Sequence, residues 1–127
     1  MISALFNQSN YVATKKMLDV TVLRQEAIAS NLANIETPNY KRIDVAPNFS
    51  EDLKQALAGK DVQRMASMQP SLAVDGAALA ANRDGNTVEL ESELLQMNQN
   101  TMAHALETHL VSGTLMKMRL AITGRPG

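Results

Sequence analysis

The side chains that could do chemistry in this chain are few, and their spacing does not bring them together. His104 and His109 are five residues apart, so on a helix they point to different faces, and a surface and a seam histidine are favoured over a metal pair. The absence of cysteine excludes thiolate chemistry and disulfides. No serine lies in a G-x-S-x-G turn, and no Walker or dinucleotide glycine loop is present. These patterns predict no catalytic centre, no metal site and no cofactor.

Two acidic stretches are the remaining candidates for ion binding. Carboxylates recur from Glu89 to Glu93 at the expected start of a helix, where the helix dipole favours negative charge, and this interpretation is favoured over a cation site. The segment 84–86 reads Asp-Gly-Asn and resembles part of a calcium loop. The regular oxygen ligands and the glutamate at the twelfth loop position do not follow, so a turn into the helix explains it better.

Composition and charge exclude further classes of protein. The 127 residues suffice for one domain, and 12 basic against 13 acidic side chains do not favour nucleic acid or an anionic membrane. Aromatic residues make up only 3%, whereas there are 8 methionines, a balance that suits helix packing and a marginally stable monomer. No apolar run approaches the roughly 20 residues of a membrane span, and no Sec-type signal peptide is expected.

The elements that must carry these residues divide the chain into three parts. Residues 4–35 contain neither proline nor glycine and predict a long N-terminal helix that ends before Pro38. Lys16 is expected off its apolar side. That side is formed by Ala13, Met17, Val20, Thr21, Ala27, Ile28, Leu32 and Ile35.

The middle segment, residues 36–86, shows no sustained period of either 2 or 3.6 residues. A short helix is predicted from Ser50, as its cap, to Ala58, with Gly59 as its end. The rest is expected to be irregular, with room for a hairpin and for mobility in the free chain.

A C-terminal helix is predicted over residues 87–123. Asn86 and Glu89 have the spacing of a capping box, and Gly124 closes the helix. Two seven-residue series form an imperfect coiled-coil seam on it. They are Leu95, Met102, His109 and Met116, and Gln99, Leu106, Gly113 and Leu120. The predicted fold is therefore mainly α, one domain over residues 1–127, with two long amphipathic helices packed in coiled-coil fashion around an irregular middle.

The most specific segment is the junction after the first helix. Its asparagines can satisfy backbone groups left open at a helix end. Asn39 tolerates the left-handed conformation of a tight turn, and Tyr40 can hold that turn against the helix. The residues of this junction are Asn31, Leu32, Ala33, Asn34, Thr37, Pro38, Asn39, Tyr40 and Lys41.

This junction resembles the N-terminal signature of the flagellar basal-body rod family, which reads roughly N-apolar-A-N-x-x-T-x-G-Y followed by a basic residue. Asn39 stands where glycine is usual, and asparagine is the next best residue for that backbone. The stretch 84–93 is similar to the family's D-G-N-x-V lead-in, and 115–124 is similar to its closing L-R-x-A-I-x-G. Short length and the T-P-x-Y variant favour the B-type proximal-rod members over the C-type.

The resemblance implies a structural subunit and no enzyme. Such proteins leave the cytoplasm through the flagellar type III export apparatus, without a cleaved signal peptide. They polymerise in the periplasm into the tubular shaft of the basal body, which transmits torque. Expected partners are copies of the chain, related axial proteins, and the proteins at the junction of the membrane ring and the export gate.

Burial of the two apolar stripes on assembly is the expected driving force. The predicted assembly interface consists of Ile28, Leu32, Ile35, Leu95, Met102, Leu106, Met116 and Leu120. A cytosolic helical adaptor or a secretion chaperone is the alternative, because such proteins also have long amphipathic helices and few aromatics. The junction signature argues against it.

Overall fold

A computed structural model describes residues 8–79 and 82–124 of the chain. In chain order the elements are α1 (Gln8–Ala33), β1 (Ile43–Val45), α2 (Asn48–Ala58), α3 (Val62–Ser67), β2 (Leu72–Val74) and α4 (Leu90–Thr123). The predicted fold class is confirmed, since two long terminal helices pack together on either side of a middle with small elements. Residues 4–7 of the predicted first helix lie outside the described residues.

The middle segment contains more regular structure than the sequence indicated. Helix α2 ends at Gly59 as predicted, but it begins at Asn48, and no side chain caps it, so the capping role of Ser50 is wrong. Helix α3 was not predicted, although Asp61 caps it by accepting a hydrogen bond from the backbone N–H of Arg64 at 3.1 Å. Strands β1 and β2 pair antiparallel, and because two helices separate them in sequence, no hairpin turn joins them.

The hydrophobic core lies between α1 and the middle segment. Helix α1 contributes Ala13 and Val20, and the middle supplies the other members of the cluster. Those are Val45, Phe49, Leu53, Ala56 and Met65. Each large side chain buried in this way contributes roughly 1.5–3 kcal/mol. The middle is therefore held to α1 by apolar packing.

Helix α1 buries the side that its sequence pattern predicted, with two departures. Ala13, Val20, Thr21, Ala27 and Ile28 are all buried, and Leu32 and Ile35 are partly buried. Met17, however, is exposed, and Lys16, expected at the surface, is buried with its ammonium 3.9 Å from Asp19. A lysine can bury its alkyl chain while its charged end stays near a carboxylate at the surface.

The contact between α1 and α4 is polar. The buried residues of α4 are Glu93, Asn100 and Glu107, a third seven-residue series that lies beside the predicted seam. Asn31 donates to Glu93 at 3.3 Å, and Thr21 lies 3.2 Å from Glu107. Because earlier residues of α1 meet later residues of α4, the two helices are antiparallel.

The apolar seam of α4 faces away from α1, because the polar series occupies the face between the helices. Leu95, Met102, Leu106, Met116 and Leu120 are all exposed. Gly113, on the same helix, is open enough that an added Cβ would meet no atom within 4 Å.

The start of α4 differs from its prediction, whereas its end is confirmed. Glu89 occupies the N-cap position and makes no side-chain cap, so the predicted capping box is wrong; Asn86 is used elsewhere. Gly124 ends the helix as predicted, in the left-handed region at φ 67°, and its N–H donates to Leu120.

Glu107 makes the helix contact sensitive to protonation. Burial raises the pKa of its carboxyl, and this outweighs the lowering effect of the Thr21 hydroxyl, His104 and Arg24. The Thr21 hydroxyl also lies 2.9 Å from the Leu18 carbonyl, to which its single proton can be given. A protonated Glu107 carboxyl can then donate its own proton to the Thr21 hydroxyl oxygen. An ionised Glu107 can only accept, so it competes with the Leu18 carbonyl for the Thr21 hydroxyl proton.

We expect Glu107→Gln to stabilise the chain at neutral pH by about 1 kcal/mol, a rise in Tm of roughly 3–5 °C. The native state holds the Glu107 proton more tightly than the unfolded state, so this group's stabilisation is present below pH 4.5 and is lost as pH rises through the raised pKa. Thermal unfolding across pH 4–8 should show the gain growing with pH. Glu91→Gln, at an exposed position, is the control; an equal gain there would contradict this account.

Candidate functional site

Asn31 connects α1 to the rest of the chain through all of its polar atoms. Its amide donates to the carbonyl of Ile43 at 2.9 Å and to Glu93, and its oxygen accepts from the Ile43 N–H at 2.9 Å and from the Tyr40 hydroxyl at 3.2 Å. The side chain is 0% exposed. The Asn31 side chain thus bonds the backbone of Ile43 as a neighbouring strand would. Both of its N–H donors and both lone pairs of its oxygen are satisfied.

The turn after α1 is held by hydroxyl and amide groups of the junction. Tyr40 donates to Asn31, so the Ser30 hydroxyl, 3.0 Å away, donates to Tyr40. Asn34 donates to the Ser30 carbonyl at 2.9 Å and accepts from the Thr37 hydroxyl at 3.1 Å. Asn34 therefore satisfies a backbone carbonyl at the helix end, as expected, and Tyr40 holds the turn against the helix. Asn31 was expected to do the same as Asn34, but it pairs with Ile43, Glu93 and Tyr40 instead.

The junction crosses the segment that leads into α4. Asn39 has φ 61°, in the left-handed region anticipated for it, and its N–H donates to the Asp84 carbonyl at 2.9 Å. Gly85 has φ 81°, and a Cβ there would collide with the Asn39 side chain. Lys41 donates to the Gly85 carbonyl at 2.8 Å. The two sequence segments most similar to the rod family therefore lie against each other.

Asn86 is the second buried amide of this crossing and is 0% exposed. Its amide lies 2.9 Å from the Asn34 carbonyl, 3.2 Å from that of Ile35 and 2.8 Å from that of Thr37, while its oxygen accepts from the Val88 N–H at 2.7 Å. Two amide protons thus serve three carbonyls of the turn that follows α1. The residue predicted to cap α4 instead holds the end of α1.

A buried ion network joins the strands to α4. Arg42 donates to Glu93 at 2.7 Å and to Asp75 at 2.6 Å, and it lies 3.4 Å from Asp44 and 3.2 Å from Gln96. Burial alone would lower the pKa of Arg42, but hydrogen bonds to Glu93 and Asp75 outweigh it and raise the pKa. Glu93, interpreted from sequence as a dipole partner, is a structural carboxylate between Arg42 and Asn31.

The predicted assembly residues fall into two groups. Ile28 is only 1% exposed, so it packs inside the chain and offers no outer surface, while Leu32 and Ile35 are partly covered. On α4, Leu106 is 60% exposed and Met102 is 72% exposed. The outward face is therefore formed mainly by α4.

Both histidines, His104 and His109, are exposed on α4. Within residues 8–79 and 82–124, no three His, Cys, Asp or Glu side chains are grouped so that they could hold a metal ion. None of the described helices combines the length and apolar character needed to cross a membrane. The arrangement of buried amides and ion pairs acts structurally, by fixing how the elements meet.

Comparison with known proteins agrees with the junction. The family model for flagella basal body rod proteins matches residues 22–41, which include the whole junction. The flagellar basal body rod protein FlgB of Aquifex aeolicus is 32% identical over 114 residues, covering 87% of this chain and 90% of the relative. FlgB of Borrelia hermsii is 29% identical over 84% of this chain and 90% of the relative, and FlgB of Escherichia coli K12 is 26% identical over 82% and 86%.

The two-helix fold and the matched junction define a structural protein of the flagellar basal body rod. Within that class, the chain belongs to the FlgB family. It is thus a structural subunit of the flagellar rod and a component of the basal body, in a family that is not one of enzymes.

Sequence reasoning missed the partners that complete the site. Asn86 was assigned to a helix cap, and Arg42, just beyond the junction, was not singled out. The polar contact face of α4 did have a signal in the sequence. Glu93, Asn100 and Glu107 follow one another at intervals of seven residues beside the apolar seam. Polar residues at such spacing in a long helix indicate a second contact face.

We expect Arg42→Met to destabilise the chain by about 3–5 kcal/mol, because Glu93 would stay buried without its partner. The double variant Arg42→Met/Glu93→Met should recover most of that loss, as measured by urea unfolding in a double-mutant cycle. Arg24→Met is the control, since its partner Asp44 is partly exposed, and it should cost under about 1 kcal/mol. Additive losses would show that Arg42 and Glu93 are not coupled.

The turn at Asn39 yields a second expectation. Asn39→Gly should retain stability, whereas Asn39→Val should lose about 1–2 kcal/mol, because a β-branched side chain is strained in the left-handed region. Thermal unfolding of the two variants measures the difference. Equal stability would show that the turn makes no demand on φ at this position.

Proposed function

We propose that the chain is exported by the flagellar type III apparatus and polymerises through its terminal helices, α4 foremost, into the torque-transmitting tube of the proximal rod. The observation that carries this proposal is the exposed apolar row on α4. Monomeric proteins rarely leave a row of this length uncovered, and such rows mark contacts with other molecules. Its members are Leu95, Met102, Leu106, Met116 and Leu120.

The energetics favour assembly through this row. Each of these side chains contributes roughly 1.5–3 kcal/mol when fully buried, and α4 is already ordered in the monomer, so little further backbone entropy is lost. The seven-residue spacing suits knobs-into-holes packing against helices of neighbouring subunits. Leu32 and Ile35 add partly covered apolar surface near Leu95, at the end of the helix pair where Asn31 meets Glu93.

The polar contact between α1 and α4 supports passage through a narrow export channel. Glu107 is buried in that contact, and no hydrogen-bond donor of the described residues reaches the buried Asn100 oxygen. Both features lower the free energy of unfolding, since buried polar groups without full pairing are costly. A chain held in this way can be unfolded for export and regain stability from its neighbours.

The proposed partners follow from the same surface. They are other copies of the chain, related axial proteins, and the proteins at the junction of the membrane ring and the export gate. In this proposal the whole chain acts as one rod-subunit domain and lies in the periplasmic part of the basal body. The junction from Asn31 to Lys41 sets the angle at which the middle leaves the helix pair.

We expect Leu106→Asp to abolish incorporation into the rod while leaving expression and monomer folding unchanged. The position is already exposed, so the monomer tolerates a charge there, whereas a buried, unpaired carboxylate in the assembled contact is costly. Immunoblots of purified basal bodies and swimming assays in a strain lacking the native chain measure the effect.

Thr108→Asp is the matched control, because it places the same charge at an exposed position on a different side of α4. It should incorporate normally. Normal rods and motility in the Leu106→Asp strain would contradict the proposed assembly surface.

A further inference from the structure

A groove of about 410 Å³ runs between α1 and α4 on the outside of the helix pair. Val22 and Ala29 line it from α1, and Thr101 lines it from α4. These residues are exposed, and two of them are small, so another helix can approach the backbone closely there. Glu26, also exposed, places a negative charge in the lining.

Asn100 lines the same groove and lies between the two helices. The residue is 5% exposed, and its amide donates to the Thr21 carbonyl at 2.8 Å and to Gln25 at 3.3 Å. Its oxygen is buried and receives no hydrogen bond from the described residues. Asn100 therefore holds α4 to α1 along the groove through its amide, while its oxygen is too buried to contact an occupant.

The distal part of α4 has complementary properties. Between residues 108 and 123 there is no acidic residue, while Lys117 and Arg119 are basic. Leu115, Met116 and Leu120 are exposed beside them. A segment that is apolar and basic matches the small side chains and the Glu26 carboxylate of the groove, which His104 also lines.

We propose that the distal part of α4 from a second copy of this chain occupies the groove, with Lys117 of one copy facing Glu26 of the other. The inference rests on the proposed function, since it names the contact by which copies join. In this arrangement the groove of one copy receives the distal helix of a second copy, whose own groove receives that of a third, so the proposed contact is heterologous. Such contacts extend into open helical assemblies instead of closing as two-fold dimers.

The absence of cysteine makes this contact testable by crosslinking. Ala29→Cys and Met116→Cys chains with tags of different size are co-expressed, and purified basal bodies are treated with a short bismaleimide. We expect crosslinks between the A29C chain and the M116C chain, at least tenfold above those between two identical chains. A predominance of A29C–A29C or M116C–M116C products would overturn the proposal, because each surface would then face the same surface of its neighbour. Val22→Cys with Leu115→Cys is a second pair if either first variant fails to incorporate.

Charge exchange tests the same contact independently. Glu26→Lys or Lys117→Glu alone should reduce the crosslink severalfold, and combining both in one chain should restore it. Failure of the combination to restore the crosslink would count against the Glu26–Lys117 contact. Variants that are incorporated into basal bodies without any crosslink would refute this inference alone. If even the unaltered chain is absent from basal bodies, the proposed function itself fails.

Discussion

Asn31 and Glu93 are fully buried polar side chains, and the arrangement of the other elements follows from the need to pair them. An unpaired amide or carboxylate in such a place costs several kcal/mol. Helix α1 supplies Asn31, α4 supplies Glu93, and the segment between them supplies Tyr40, Arg42 and the backbone of Ile43. Displacing any one of these elements leaves a buried donor or acceptor without its partner, so the junction defines a single way for the parts to meet.

This constraint explains the unusual distribution of polar and apolar surface. Ala13 and Val20 of α1 are covered by the middle segment, whereas Thr21 and Asn31 of the same helix face α4. Helix α4 therefore presents polar groups inward and leaves hydrocarbon outside, the reverse of a helix in a self-contained bundle. In the proposed assembly, neighbouring subunits would bury the exposed apolar row of α4.

The sequence predicted the architecture well where the signal was local. The long proline-free and glycine-free run defined α1, and Gly59 and Gly124 marked helix ends correctly. Asn39 was expected in the left-handed region because few other residues tolerate it. Backbone conformation of this kind depends on local chemistry, which a sequence displays directly.

The failures concern contacts between residues distant in sequence. Asn86 has the spacing of a helix cap, yet it holds a turn about fifty positions earlier, and no local pattern distinguishes these uses. Arg42 gains its role only because Asp75 and Glu93 converge on it in space. Ile28 was assigned to the outer surface because an apolar stripe does not reveal which neighbour covers it. The small elements of the middle were missed because runs of three to six residues carry almost no period.

The Ser112–Gly113 pair in α4 bears on the mechanics of the proposed rod assembly. Glycine lacks a Cβ to restrict the backbone, helix bends concentrate at glycine and serine pairs, and the space around Gly113 is open. Bending under load should therefore concentrate in the C-terminal half of α4. Its N-terminal end, which Asn31 contacts through Glu93, should stay stiff.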